Sequence, residues 1–294
     1  MTTNNVSAPR LEVNSSGKRG LVPVAERCFA LAMRLVPEKF RFDAALFVAR
    51  VALPLFRGTE AYREQHIKQF ISAREIVLYL LLNALTKHGT PFDVEIKVSG
   101  YEHFVKAYDK QKGVLVIGHH AALTLFMVRH FHDKGLNPIV ISPDPNLRAA
   151  GTLDNVRVLL KSPMFLVQLR TRLRNAELIC AMPDRAEHEG DRTVEFETCA
   201  ARVIIAPAMI EVAARCGAEV LFTEVRLEGR HLTSIIDTPR SSSTGIGPAI
   251  TEDFISFVRE RLALSLQSEA VTPSDSRTDD TISVRNPISH SHVQ

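Results

Sequence analysis

The chain of 294 residues reads as an α/β protein, a central mixed or parallel sheet flanked by helices with a helical layer ahead of it. Three observations predict this. Short, wholly apolar runs such as Val114–Ile117 and Leu178–Met182 are the pattern of strands buried on both faces. Longer segments with helical periodicity alternate with those runs, which implies right-handed βαβ crossovers and a largely parallel sheet. Residues 22–90 carry almost only helical signals, so the helical layer precedes the sheet.

Residues 1–20 are polar and aperiodic and read as a disordered arm, and residues 267–294 read the same way as a tail. A single domain is therefore expected over residues 21–266. Val24–Leu35 and Ala44–Phe56 are apolar-rich helical segments. The stretch Asp43–Phe56, DAALFVARVALPLF, carries apolar residues almost all round, which predicts a buried helix. Its alternative is a helix lying in a membrane interface, kept open by the basic Lys39, Arg41, Arg50 and Arg57 around it. Glu60–Lys87 reads as a long helix stopped at Gly89-Thr90-Pro91.

Phe92–Val98 alternates apolar and charged residues, as a half-buried strand does. Tyr101–Lys110 reads as a short helix, Val114–Ile117 as a strand, Ala121–Lys134 as a helix stopped by Gly135, and Pro138–Ile141 as a strand. Thr152–Lys161 and Phe165–Arg174 read as helices, Leu178–Met182 as a strand, and Ala206–Arg215 as a helix ended by Gly217. Val220–Leu227 and Thr233–Ile236 read as strands. Thr251 is the expected cap of a last helix with Phe254, Ile255, Val258 and Leu262 on one face.

Composition narrows the function. Hydrophobic residues make up 45% and charged residues 23%, values of a globular chain. The net charge of +3 is too balanced to point to nucleic acid. No pair of the four cysteines has CxxC spacing, and His130 and His132 fall on different faces of one helix, so no metal site is expected. Without a signal peptide or a run of ~18 apolar residues, a cytoplasmic protein is expected, with peripheral contact at the inner face of the membrane as the alternative.

Open α/β sheets bind ligands at the carboxyl ends of their strands. Two such ends carry titratable groups, His119-His120 after Val114–Ile117 and Asp184-Arg185 after Leu178–Met182. A histidine there can act as a general base, bind an anion beside a helix N-terminus, or fill a polar strand end.

The residues VLVIGHHAALTL resemble the catalytic block of the lipid A biosynthesis lauroyl/myristoyl acyltransferases, in which His is followed five residues on by Asp or Glu. MPDRAEHEGDRTVEF, residues 182–196, resembles that family's second block, with Asp184 at its Asp and Arg185 where Gln is usual. IEVAARCGAEVLFTEVR, residues 210–226, resembles a third block that ends in Arg, here Arg226. The resemblance implies a glycerolipid acyltransferase-like fold and acyl transfer from an acyl-carrier protein or acyl-CoA to a lipid or small-molecule hydroxyl or amine. It implies no metal and no organic cofactor. His119 is then the general base, with His120, Thr124, Arg185 and Arg226 as substrate contacts.

One departure stands out. Counting from His119, the carboxylate position holds Thr124, and counting from His120 it holds Leu125. Asp184, at the neighbouring strand end, is the expected substitute, making His119 and Asp184 the catalytic pair. The missing carboxylate also supports a rival reading, a catalytically inactive relative that binds acyl chains or an acyl-carrier protein as a partner subunit. Arg170, Arg172 and Arg174 read as a solvated helix face, or as a patch for an acidic carrier.

Overall fold

The computed structural model describes residues 21–57, 73–119, 123–142, 145, 147, 156–183, 192–198, 202–239 and 247–270. Its helices are α1 (Leu21–Arg34), α2 (Glu38–Arg57), α3 (Ala73–Lys87), α4 (Tyr101–Tyr108), α5 (Leu125–Asp133), α6 (Phe165–Arg174), α7 (Ala208–Arg215) and α8 (Gly247–Ala270). The strands are β1 (Ile96–Ser99), β2 (Val114–Gly118), β3 (Ile139–Ser142), β4 (Arg157–Leu160), β5 (Leu178–Ala181), β6 (Val194–Glu197), β7 (Arg202–Ile205), β8 (Glu219–Glu228) and β9 (His231–Asp237). The protein is α/β.

Seven strands form the main sheet in the order β1-β9-β8-β2-β5-β3-β4. Every neighbouring pair is parallel except β8 and β9, which form an antiparallel hairpin. The five residues of β2 are all buried, as its apolar sequence requires of a strand paired on both edges and covered on both faces. Successive side chains of a strand point to opposite faces, and the core divides accordingly. Val116, Val140, Cys180, Leu221 and Val225 pack with residues of α1–α5. Leu115, Ile117, Ile179, Val220 and Phe222 pack with residues of α6–α8.

Helix α3 has almost no polar side, and it lies against both α1 and α2. Polar contacts fasten this helical layer to the hairpin, among them Arg74 Nη2 donating to the Gly229 carbonyl at 2.6 Å. The Leu227 N–H donates to Glu75 Oε1 at 2.7 Å, and Arg230 Nη2 lies 2.9 Å from Asp43 Oδ1. Arg41 is spent inside the fold, donating from Nε to the carbonyls of Met33 and Val36 at 3.0 and 2.9 Å.

Three expectations need correction. The stretch read as a helix over Thr152–Lys161 contains instead the edge strand β4, paired in parallel with β3. Its apolar run is too short to carry a period, and long-range pairing decides it. Thr251 is not a cap. Helix α8 already begins at Gly247, and the Thr251 hydroxyl donates to the Gly247 carbonyl one turn back, at 3.0 Å. The Asp43–Phe56 segment is not buried all round. Phe42, Ala45, Leu46 and Ala49 are buried, whereas Phe47 and Val51 face outward.

The antiparallel pair β6 and β7 adds a small second sheet that the sequence reading left without strands. The first part of the expected helix from Glu60, the arm and nearly all of the tail lie outside the described residues. No described helix is long and apolar enough to cross a membrane.

Gly113, just before β2, sets a tight approach. A Cβ placed there would sit 2.2 Å from the Leu173 carbonyl oxygen of α6. Backbone cannot swing away as a side chain can, so Gly113→Ala is expected to cost about 3 kcal/mol. That loss should lower Tm by roughly 6–12 °C at this domain size, read by thermal denaturation. An unchanged Tm would mean that α6 is not held against this strand.

Candidate functional site

The site lies where β2 and β8 end side by side. Their parallel register pairs Gly118 with Thr223, and one more step along each chain brings His119 opposite Glu224. Both are buried, His119 with 5% and Glu224 with 3% of its surface exposed. His119 Nε2 lies 3.4 Å from Glu224 Oε1. The other carboxylate oxygen, Oε2, lies 2.7 Å from Arg226 Nε. Arg226 follows Glu224 by two residues on one strand, so the two project on the same face. The Arg226–Glu224 contact is one of charge rather than an aligned hydrogen bond, since neither atom has a hydrogen-bond partner among the described residues. Arg226 is held from its far end, where Nη2 donates to the Arg261 carbonyl of α8.

This arrangement assigns work to the two imidazole nitrogens. Glu224 Oε1, 3.4 Å from Nε2, favours the tautomer with its proton on Nε2 and its lone pair on Nδ1. Nδ1 is buried and has no hydrogen-bond partner among the described residues. A buried polar atom without a partner costs free energy, and an incoming hydroxyl or amine would satisfy it.

Thr124 plays a different part from the carboxylate it replaces in the resemblance. Its hydroxyl donates to the backbone carbonyl of His119 at 3.0 Å, tying the start of α5 to the end of β2. It therefore fixes the main chain of His119 rather than the ring. Gly118 is the seam where β2, β8 and the start of α5 come together. A Cβ there would meet the Thr223 carbonyl oxygen at 2.9 Å and Thr124 Cγ2 at 3.0 Å.

An apolar pocket of about 320 Å³, its open mouth included, adjoins the seam. Val116, Val140, Cys180 and Met182 wall it from the sheet, Thr124, Met127 and Val128 from the helix side, and Gly118 and Thr223 form its edge. These residues belong to the α5 side of the sheet, whereas Glu224 and Arg226 project to the α8 side. Gly118 lines the pocket, and His119, the next residue, lies on the Glu224 side. Burial pushes the Cys180 thiol up to about 12 from its ordinary 9.0, so it is protonated at neutral pH and serves as an apolar wall, not a nucleophile. The sign of this shift means that folding loses stability as pH rises from about 9 toward 12, because the unfolded thiol ionises first.

Of the residues named from sequence, His119, Thr124 and Arg226 are brought together at this strand end. His120, Asp184 and Arg185 lie outside the described residues. The residue that sequence reasoning missed is Glu224. A carboxylate inside the apolar run of a central strand was the available signal, with Arg226 two residues on to neutralise it. Of the three arginines on α6, all exposed, Arg172 is drawn toward Glu177 at 3.4 Å. Among the described residues no three His, Cys, Asp or Glu side chains converge as a metal site. No family model matches the chain, and no curated protein matches it either.

Proposed function

We propose that the protein is an acyltransferase that moves an acyl group from a thioester, carried by an acyl-carrier protein or coenzyme A, to a hydroxyl or amine. The observation that carries the reading is the buried His119–Glu224 pair with its free Nδ1; Gly118 and Thr223, the residues just before the pair on each strand, line an apolar pocket. The three sequence blocks that resemble the lipid A acyltransferases support the same chemistry. Glu224 answers the objection that the block lacks its carboxylate, because the charge comes from the neighbouring strand.

In this reading the acyl chain occupies the apolar pocket and its carbonyl lies over Gly118. His119 Nδ1 takes the proton of the acceptor as the acceptor oxygen or nitrogen bonds to the thioester carbonyl. The tetrahedral intermediate collapses, the carbon–sulfur bond breaks, and the proton passes from the imidazolium to the departing thiolate. Glu224 holds the tautomer and offsets the imidazolium charge while it exists.

The test is thiol release from acyl-carrier-protein and acyl-coenzyme A donors in the presence of hydroxyl and amine acceptors. The wild-type chain should release thiol in an acceptor-dependent way, and His119→Ala should lose at least about 10²-fold. Equal turnover by the two proteins would reject His119 as the base. Acyl-carrier binding without release by either would favour the rival reading, a binding subunit that has lost catalysis.

A further inference from the structure

The structure points to a second surface, independent of the acyl-transfer reading. We propose that the outer face of α1 and α2 docks on an anionic lipid surface. On α1, Val24 and Leu31 are exposed, and so is Leu35 directly after the helix, to 89%. On α2, Phe40, Phe47 and Val51 are exposed, Phe47 to 66% and Val51 to 61%. Val24 and Leu31 are seven residues apart, and Phe40, Phe47 and Val51 are seven and four apart, spacings that place each set on one side of its helix. The buried residues Ala30 and Met33 of α1, and Ala45, Leu46 and Ala49 of α2, occupy the opposite sides and pack into the core. Each helix thus has two apolar faces, and the fold covers one.

Charge selects the occupant. The two helices carry six basic and three acidic residues. Two of the acids are already paired within the fold, Glu26 with Lys87 at 2.9 Å and Asp43 with Arg230 at 2.9 Å. The basic Arg27, Lys39 and Arg50 are exposed beside the apolar stripes. Lys39 Nζ sits over the Phe40 ring, 4.9 Å from its centroid, which puts a cation directly beside the apolar stripe. Exposed apolar residues flanked by cations are the pattern of helices that lie in the headgroup region, where each cation near an anionic surface contributes about 1 kcal/mol. A second copy of the chain would bring the same positive face against this one and be repelled.

Co-sedimentation of the full chain with vesicles decides the matter. We expect binding to phosphatidylcholine vesicles containing phosphatidylglycerol, and at least tenfold weaker binding to phosphatidylcholine alone. Raising salt should weaken the first, because the charge contribution is screened. The doubly substituted Phe47→Glu, Val51→Glu chain should lose at least tenfold in vesicle binding with unchanged circular dichroism and Tm, since both sites are exposed. Equal sedimentation of wild-type and doubly substituted protein would overturn the proposal. So would absence of binding to both vesicles, or a dimer in light scattering that the two substitutions abolish.

Discussion

Replacing Glu224 with Gln is expected to lower kcat for acyl transfer by between about 10² and 10⁴-fold while KM changes little. The lower figure is the ordinary worth of a positioned base, and the upper is what neutralising the orienting carboxylate costs a Ser-His-Asp triad. Gln keeps the size and one acceptor oxygen but not the charge. Its amide can also turn its NH₂ toward Nε2, which favours the tautomer with the proton on Nδ1. A proton there removes the lone pair that the acceptor needs. In the proposed mechanism Glu224 acts through His119, so binding should survive. An equal loss in KM would mean that the residue contacts substrate directly. Glu224→Asp supplies the control. It restores the charge but draws the carboxylate back by one methylene from a contact already 3.4 Å long, and should recover only part of the rate. If Gln and Asp variants both match wild type, the pair is structural and catalysis resides elsewhere.

The parts of the molecule that were legible in the sequence are those where local pattern and tertiary role agree. Val114–Gly118 is buried on both faces and reads so. Phe165–Arg174 has Leu169 and Leu173 on its inner side and arginines outside, and its helix follows from that spacing. Arg157–Leu160 failed for the opposite reason. Its four residues are a strand because β3 pairs with them and Arg157 reaches Glu177 at 2.5 Å, neither of which is local. Val194–Glu197 does alternate, and its strand was readable. The resemblance drew attention to those residues as part of a motif block instead. The His119–Glu224 pair shows the limit most clearly. Their sequence separation conceals a contact that follows at once from the β2–β8 register, because Gly118 opposite Thr223 puts the next residues opposite each other. A motif defined by spacing along one helix turn cannot find a carboxylate delivered by a different strand.

Arg226 decides whether that carboxylate can be kept buried and charged. Glu224 has 2% of its side chain exposed, and replacing Arg226 with Met leaves it, among the described residues, with the imidazole as its charge partner. Breaking a buried pair by removing one partner costs about 3–5 kcal/mol, because the remaining charge has lost its compensation. For a domain of this size the loss should lower Tm by roughly 6–20 °C. Lys is not an equivalent replacement. Arg226 meets the carboxylate with Nε while Nη2 donates to the Arg261 carbonyl, and a single ammonium cannot reproduce that fork. Removing both charges, in Glu224→Gln with Arg226→Met, should recover most of the stability, since neither an unpaired anion nor an unpaired cation remains. It should recover none of the activity. Denaturation of the two single variants and the double variant gives the coupling energy directly. A coupling below about 0.5 kcal/mol would show that the 2.7 Å contact contributes nothing to folding, and that Glu224 is accommodated by other means.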